Sequence, residues 1–483
     1  MRVNVGCDSL TMAELAHICG GMLCCIGGAG NKDVPFQYIC TDSRETGEGA
    51  LFVALNGERV DGHDYIGAAL SSGTDCVLCE RIPNMLNDRK YVALVVDDSL
   101  RAMGELAKAY DRRMQHRKVA ITGSVGKTTT KEFVAAVLSE QCRVHKTEGN
   151  YNSTIGMPLS MLTLSNDTEV SVLEMGMSNF GEIEYLSKIA EPDIAIVTNI
   201  GSSHMEYLGS RENICRAKME IVKGLKPGGT LLLNGDEPLL RQADTAGFTP
   251  VYVGLGAGCD VRATHIVHSP FGTTFNIRYG EKTVERITIP TMGDHNVYAA
   301  LFAFAVGVMM GMEADQICRG LSRFRPVGMR QNIYEIDDIT VIEDCYNASP
   351  ESMKAAIRVL HAVSEQKQGR MTALLGDMYE LGTGSDRFHE EVGLYFAEQG
   401  GSLLFTFGQS ADMIAGGALL GGVETEHIFR NGNTRAPEIS GEMLLHALKP
   451  GDVLLVKASR GAAAERVLTY LKDHRDRLCR KAR

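Results

Sequence analysis

The strongest chemical signal is Thr122-Gly123-Ser124-Val125-Gly126-Lys127-Thr128-Thr129. It follows the apolar run KVAI and precedes an amphipathic segment, KEFVAAVLSE. Glycines in such a turn let backbone N–H groups face phosphate oxygens, and the helix that follows adds the positive end of its dipole. Lys127 is placed to neutralise β- and γ-phosphates, and the Thr128 hydroxyl to ligate Mg²⁺. Gly123 to Thr129 are therefore a candidate nucleotide cradle. The usual pattern has a glycine where Ile121 stands here, so the loop is a shortened variant. A plain glycine-rich turn is the competing reading. It weighs less, because lysine and threonine fall at the right places in a strand–loop–helix context.

A second group follows downstream. Glu174 ends the apolar run VSVLE, at the carboxyl edge of an expected parallel sheet, where ligand sites gather. A strand-end acid more often caps a loop. With a phosphate loop on a neighbouring strand, Glu174 and Thr128 together suit one Mg²⁺ through hard oxygen ligands. His204 alone reads as a surface or core histidine, and Lys218, in CRAKMEI, as a helix-surface lysine.

The elements that must position these residues fall into three regions. Residues 1–112 mix short strands and helices. TDCVLCE and YVALVV read as buried strands, and Ser99 to Tyr110 as a helix with Ser99 at its N-cap. The polar stretch Asp111 to Lys118 marks a boundary. In residues 113–326 the strands KVAITG, VSVLEM, DIAIVTNI and GTLLLN alternate with helices, predicting a mostly parallel sheet covered by helices. VRATHIVHS, TTFNIRYG and KTVERITIP then predict an antiparallel patch, followed by a long helix from about Asp294. Residues 327–483 form a second α/β unit: ITVIED, MTALLGD, SLLFTFG and DVLLVKA alternate with helices from Ser349, Asp386 and Gly461.

The totals agree. A chain of 483 residues predicts two to four domains. With 49 basic and 60 acidic residues the net charge is −11, which leaves no broad basic field for nucleic acid. The N-terminus lacks the continuous apolar core of a signal peptide. Leu301 to Met312 is too short for a membrane span and reads as a buried helix. The 13 irregularly spaced cysteines read as reduced thiols in a cytoplasm. Cys76-Val-Leu-Cys79 reads as a buried strand in preference to a zinc half-site.

Beyond the phosphate loop, the chain carries Glu148-Gly149-Asn150-Tyr151-Asn152, Ile155-Gly156-Met157-Pro158 and Glu174-Met175-Gly176. Then come Thr198-Asn199-Ile200-Gly201, His204, Ala217-Lys218, Asn234-Gly235-Asp236 and Gly293-Asp294-His295-Asn296. This series, in this order, resembles the Mur ligases. Thr41-Asp42-Ser43-Arg44, Leu51 to Glu58 and Asp61-Gly62-His63-Asp64 resemble the family's uridine-nucleotide domain. Asp344-Cys345-Tyr346-Asn347-Ala348-Ser349-Pro350 resembles its nucleotide-contacting turn. Leu375-Gly376-Asp377-Met378-Tyr379-Glu380-Leu381-Gly382 and Val456-Lys457-Ala458-Ser459-Arg460 resemble the branch that adds D-alanyl-D-alanine. Ser153, Ala299 and Ala458 depart from the family pattern.

The resemblance implies a three-domain α/β enzyme: a uridine-nucleotide domain, a P-loop ATPase domain and a C-terminal Rossmann-like domain. It implies ATP, UDP-MurNAc-tripeptide and D-Ala-D-Ala as substrates, an acyl phosphate on the way, two Mg²⁺, and a cytoplasmic monomer. Glu174 and Thr128 would hold one Mg²⁺ and His204 the second, supported by a carbamylated Lys218. Asn296, Asp344, Tyr346 and Asn347 would contact adenosine, and Arg330 the phosphates. Asp42, Ser43, Arg44, Asn150 and Asn152 would contact the muropeptide. Asp377, Glu380, Lys457 and Arg460 would serve the acyl phosphate or the incoming dipeptide. The bland readings are an Asx-type turn at Asp42, a helix-start cap at His295-Asn296, and strand ends for the last group. Another Mur ligase, a folate polyglutamate synthase or a non-catalytic nucleotide-binding regulator are the competing functions.

Overall fold

The computed structural model describes residues 1–6, 10–29, 31–57, 60–86, 88–269 and 272–479; Glu58 of the N-terminal motif lies outside them. Three main sheets draw their strands from successive stretches of chain. The first has six strands, and its centre is parallel: Tyr38–Cys40, Ala50–Val53, Cys76–Cys79 and Tyr91–Val95. Cys76 and Cys79 lie fully buried in their strand, and burial pushes the Cys79 thiol up to about 12. Such thiols are inert core groups.

The second sheet has nine strands, in the order 144–146, 170–174, 117–122, 194–197, 230–234, 250–254, 261–269, 272–279, 282–289. The first seven run parallel, and the last two extend the sheet antiparallel from strand 261–269. Runs such as Val170–Glu174 are buried on both faces, as a helix-covered parallel sheet demands. The helix Asp294–Met309 packs beside Lys127–Leu138, with Phe302, Phe304 and Leu301 in the core. The third sheet runs 332–336, 339–343, 453–457, 371–376, 403–407, 428–431, parallel except for its first strand.

The helix Ser99–Asp111 carries the first region onto the second. Tyr110 Oη donates to Leu164 O at 2.9 Å, and Tyr185 Oη to Leu100 O at 2.8 Å. Its N-cap is Asp98, whose carboxylate accepts from the Arg101 N–H at 2.9 Å. This corrects the expected Ser99 cap. Ser99 is buried, and its N–H donates to Glu80 Oε1 at 3.0 Å. Among the described residues, no helix is long and apolar enough to cross a membrane.

Candidate functional site

A cavity of about 820 Å³ opens where the carboxyl ends of the second sheet face the third. The phosphate loop forms its floor. Gly126, at φ 84°, is the left-handed residue that starts the helix Lys127–Leu138. Gly123, at φ 148°, lies so close to its neighbour that a Cβ would fall 1.8 Å from Thr198 Oγ1. Only glycine fits both the angle and the space.

The loop is braced from the next strand. Asn199 Oδ1 accepts from Val125 N–H at 2.8 Å, Asn199 O from Ser124 N–H at 3.1 Å, and Thr198 Oγ1 donates to Val125 O at 2.7 Å. Lys127 Nζ folds back onto Gly123 O at 2.7 Å. Burial holds its pKa below the ordinary lysine range; Glu174 pulls the other way and Arg330 adds to the depression. A lysine parked on its own loop needs only an anion to draw it off.

Glu174 is 2% exposed at the end of its strand. Its Oε1 accepts from Asn152 Nδ2 at 2.7 Å; its Oε2 is buried without a hydrogen-bond partner. Lys131 Nζ lies 3.6 Å from that oxygen and donates to Thr147 O at 2.6 Å. The Ser124 hydroxyl is likewise buried and unpartnered. Polar atoms left open in this way mark a place for ligand or ion.

The roof comes from the third sheet. The turn after Ile339–Glu343 presents Asp344, Tyr346 and Asn347 to the cavity. Lys457 Nζ donates to Asp344 Oδ2 at 2.6 Å and to Asn347 O at 2.9 Å, which fixes the turn. The Arg330 guanidinium stacks on the Tyr346 ring at 3.8 Å from its centroid. Asn296 is 3% exposed, and its amide donates to Met292 O at 2.6 Å and Gln331 Oε1 at 2.7 Å. The helix itself begins at Gly293 without a side-chain cap, so the capping reading does not hold.

The arrangement offers a phosphate cradle, the cations Lys127, Arg330, Arg358 and Lys457, and an acidic strand end below a polar turn. Residues 35–111 match the Mur ligase family catalytic domain, 121–307 the Mur ligase middle domain and 329–460 the Mur ligase glutamate ligase domain. A curated relative, the UDP-N-acetylmuramoyl-tripeptide–D-alanyl-D-alanine ligase of Bacillus subtilis (strain 168), is 42% identical over 90% of this chain and 92% of its own length. The chain belongs to the Mur ligase family. The relative of the same name in Escherichia coli (strain K12) is 33% identical over 96% of this chain and 99% of its own. Among solved structures, MurF from Acinetobacter baumannii superposes with a TM-score of 0.85 at 29% identity, covering 97% of this chain and 100% of that one. MurF from Thermotoga maritima, in complex with ADP, gives 0.79 at 30% identity, with 91% and 97% covered.

Within this Mur ligase fold the expected site residues separate into groups. Ser124 to Thr129, Asn150, Asn152, Glu174, His204, Asn296, Arg330, Asp344, Tyr346, Asn347 and Lys457 line one cavity, with Gly123 just beneath the loop. His204, at φ 63°, stands 2.6 Å from Glu380 Oε2 through its Nδ1. Lys218 is not the helix-surface lysine that its local sequence suggests. It is 1% exposed, and burial first, then the charge of Lys127, holds its pKa well below the lysine range.

Others lie apart from the cavity lining. Asp377 is buried, and its carboxylate accepts from Ala411 N–H at 2.7 Å. Arg460 is exposed and pairs with Glu465 at 2.8 Å. Asp42 closes an Asx turn on Arg44 N–H at 3.0 Å and pairs with its guanidinium at 2.6 Å, while Ser43 is buried between them. Sequence reasoning passed over Lys131 and Glu351, and named Asn199 and Asp236 within motifs without giving them a role; Asn199, Asp236 and Glu351 line the cavity. Lys131 was detectable: it follows Lys127 by four residues, hence shares a helix face with it.

Proposed function

We propose that the chain joins D-alanyl-D-alanine to the terminal carboxylate of UDP-N-acetylmuramoyl-tripeptide, consuming ATP and giving UDP-MurNAc-pentapeptide, ADP and phosphate. The identity that runs through nine-tenths of the chain with a relative of that printed activity carries the reading. The cavity between cradle and turn supports it, because the reaction needs ATP held across both.

The carboxylate takes the γ-phosphoryl group, and ADP leaves. The dipeptide amine then attacks the acyl carbon, a tetrahedral intermediate collapses, and phosphate departs as the amine loses its proton. Phosphorylation gives a poor electrophile a leaving group. Catalysis then rests on positioned positive charge. Lys127 leaves Gly123 O for the phosphates, Arg330 comes from the roof, and Asn296 with Asp344, Tyr346 and Asn347 holds adenosine. Asp42, Ser43, Arg44, Asn150 and Asn152 bind the muropeptide. Lys457, Arg460, Asp377 and Glu380 form the side on which the dipeptide arrives.

The donor set suits Mg²⁺: Glu174 Oε2 is buried without a hydrogen-bond partner, and the Thr128 hydroxyl lines the same cavity. Mg²⁺ bound there neutralises charge on the transferring phosphoryl group. His204 is the donor for a second ion. Lys218 is the carbamylation site: a buried amine held neutral is a nucleophile toward CO₂, and the product is an anion that two cations welcome. The enzyme works in the cytoplasm as a monomer, and the domains divide at residues 112 and 326.

Full-length protein is incubated with Mg-ATP, UDP-MurNAc-tripeptide and D-Ala-D-Ala, each omitted in turn, with phosphate release and product mass as readouts. Phosphate released only with all three, with a pentapeptide mass, is the expected outcome. Turnover with free amino acids alone, or none with any acceptor, overturns the reading.

A further inference from the structure

The third region touches the loop 198–204 through two acids. Glu351, in the first turn of the helix Pro350–Lys367, crosses to that loop. Its Oε1 accepts from Ser202 N–H at 2.9 Å and from the Ser202 hydroxyl at 2.8 Å. Its Oε2 is buried without a hydrogen-bond partner. A Cβ at Gly201 would lie 2.9 Å from the Glu351 carboxyl carbon and from Oε2, so the carboxylate would have to shift from its place on Ser202 to admit one. Two residues further on, His204 faces Glu380 Oε2 at 2.6 Å, and Glu206 N–H donates to Glu380 O at 3.2 Å.

The other end of the same loop is the brace of the phosphate cradle. Thr198 and Asn199 make three hydrogen bonds to Ser124 and Val125. Ser202 therefore sits between the residues that shape the cradle and His204. A carboxylate gripping two donors across a boundary is a strong, directional link. A simpler account makes Glu351 an acid that merely favours the positive end of its own helix. That account does not call for a glycine opposite the carboxylate, nor for two bonds to one serine.

The geometry points to Glu351 as a positioning residue that latches the third region onto the 198–204 loop. Closing the cleft and setting the phosphate cradle then become a single event. The inference deepens the ligase reading and rests on it for the catalytic readout. Glu351 need not touch ATP. It acts through Ser202 on the strand-to-helix loop that supports Val125 and carries His204.

The test uses the full-length chain and the variants E351A, E351Q and G201A, with melting curves to establish that each folds. Small-angle scattering with and without a non-hydrolysable ATP analogue reads closure, and steady-state kinetics read kcat and KM. Glutamine keeps an oxygen acceptor for both Ser202 donors and loses the charge. The latch predicts that wild type compacts on binding the analogue, and that E351A does not and drops kcat about tenfold; a wild type that fails to compact overturns the proposal. E351Q retains compaction and most of kcat. G201A, which removes no hydrogen-bonding group, reproduces E351A. An E351A protein that compacts and turns over like wild type overturns the proposal. So does an E351Q protein as impaired as E351A, which would mean that the charge and not the latch matters. Failure of wild type to make product would sink the ligase reading alone, since compaction is read without turnover.

Discussion

Lys131 Nζ stands 3.6 Å from Glu174 Oε2, and both side chains are almost completely buried. A buried ion pair contributes little net stability, yet removing one partner strands the other charge. Lys131 also reaches Glu132 Oε1 at 3.4 Å, and Glu132 in turn pairs with Lys146. Lys131 thus ties the strand-end acid to the helix that follows the phosphate loop.

A double-mutant cycle follows from that pair. K131M and E174Q each destabilise the protein, and the double mutant costs less than their sum. A coupling of about 0.5–3 kcal/mol is expected from denaturant unfolding. Additive effects would mean that the two charges do not feel each other. E174Q should also abolish turnover, whereas K131M should only weaken it.

The nucleotide roof is held by Lys457 and by Arg330. K457M leaves Asp344 without its cation and frees the turn that presents Tyr346 and Asn347. Titration calorimetry with an ATP analogue should show at least about tenfold weaker binding. Y346A removes the ring under Arg330 and should weaken binding by less, about 0.5–1 kcal/mol. Equal losses from both would argue that the stack, and not the turn, is the main support.

His145 gives a pH dependence with a definite sign. Burial first, then the neighbouring His116, lowers its pKa from 6.5 to about 4. A histidine neutral in the fold and protonated when unfolded withdraws stability as pH falls from about 6.5 toward 4, and no more below that. The loss is at most about 3 kcal/mol. Melting temperature should therefore decline across that window, and H145Q should flatten the decline. An unchanged profile in H145Q would assign the acid sensitivity elsewhere.

Lys218 is testable without turnover. Intact-mass analysis under native conditions with bicarbonate should show the mass of one added carboxyl group, lost on acidification and absent in K218M. In buffer stripped of CO₂, K218M removes a buried amine, and the protein should melt at least about 2 °C above wild type. A lower melting point would show that the amine has a stabilising partner.

Much of the fold was legible because the strands are short apolar runs punctuated by turn residues. Val170–Glu174, Ile194–Val197 and Met371–Gly376 could be read directly. The antiparallel extension was legible from alternation. Which residue caps a helix was not: Asp98 and Ser99 are both good caps, and the choice fell to a tertiary bond, Ser99 N–H to Glu80. The phosphate loop was legible because its chemistry is local. Glu351 was not, since it acquires its role from Ser202, 149 positions away along the chain; for Lys131 the helix face it shares with Lys127 was legible, but its pairing with the distant Glu174 was not. The burial of Lys218 was not legible in its local sequence for the same reason. Its helix is polar in sequence, yet Lys218 is buried in the fold.

The order of the third sheet has a consequence for biosynthesis. Its last strand in sequence, Val453–Lys457, is inserted between Ile339–Glu343 and Met371–Gly376. While the ribosome still holds that segment, the region has two half-sheets with open hydrogen-bonding edges and no cation for Asp344. A nascent chain has to wait, edges exposed, until Val453–Lys457 has emerged before this region can close. Premature termination anywhere upstream of Lys457 would release a polypeptide suited to chaperone capture or aggregation, never a partly working enzyme.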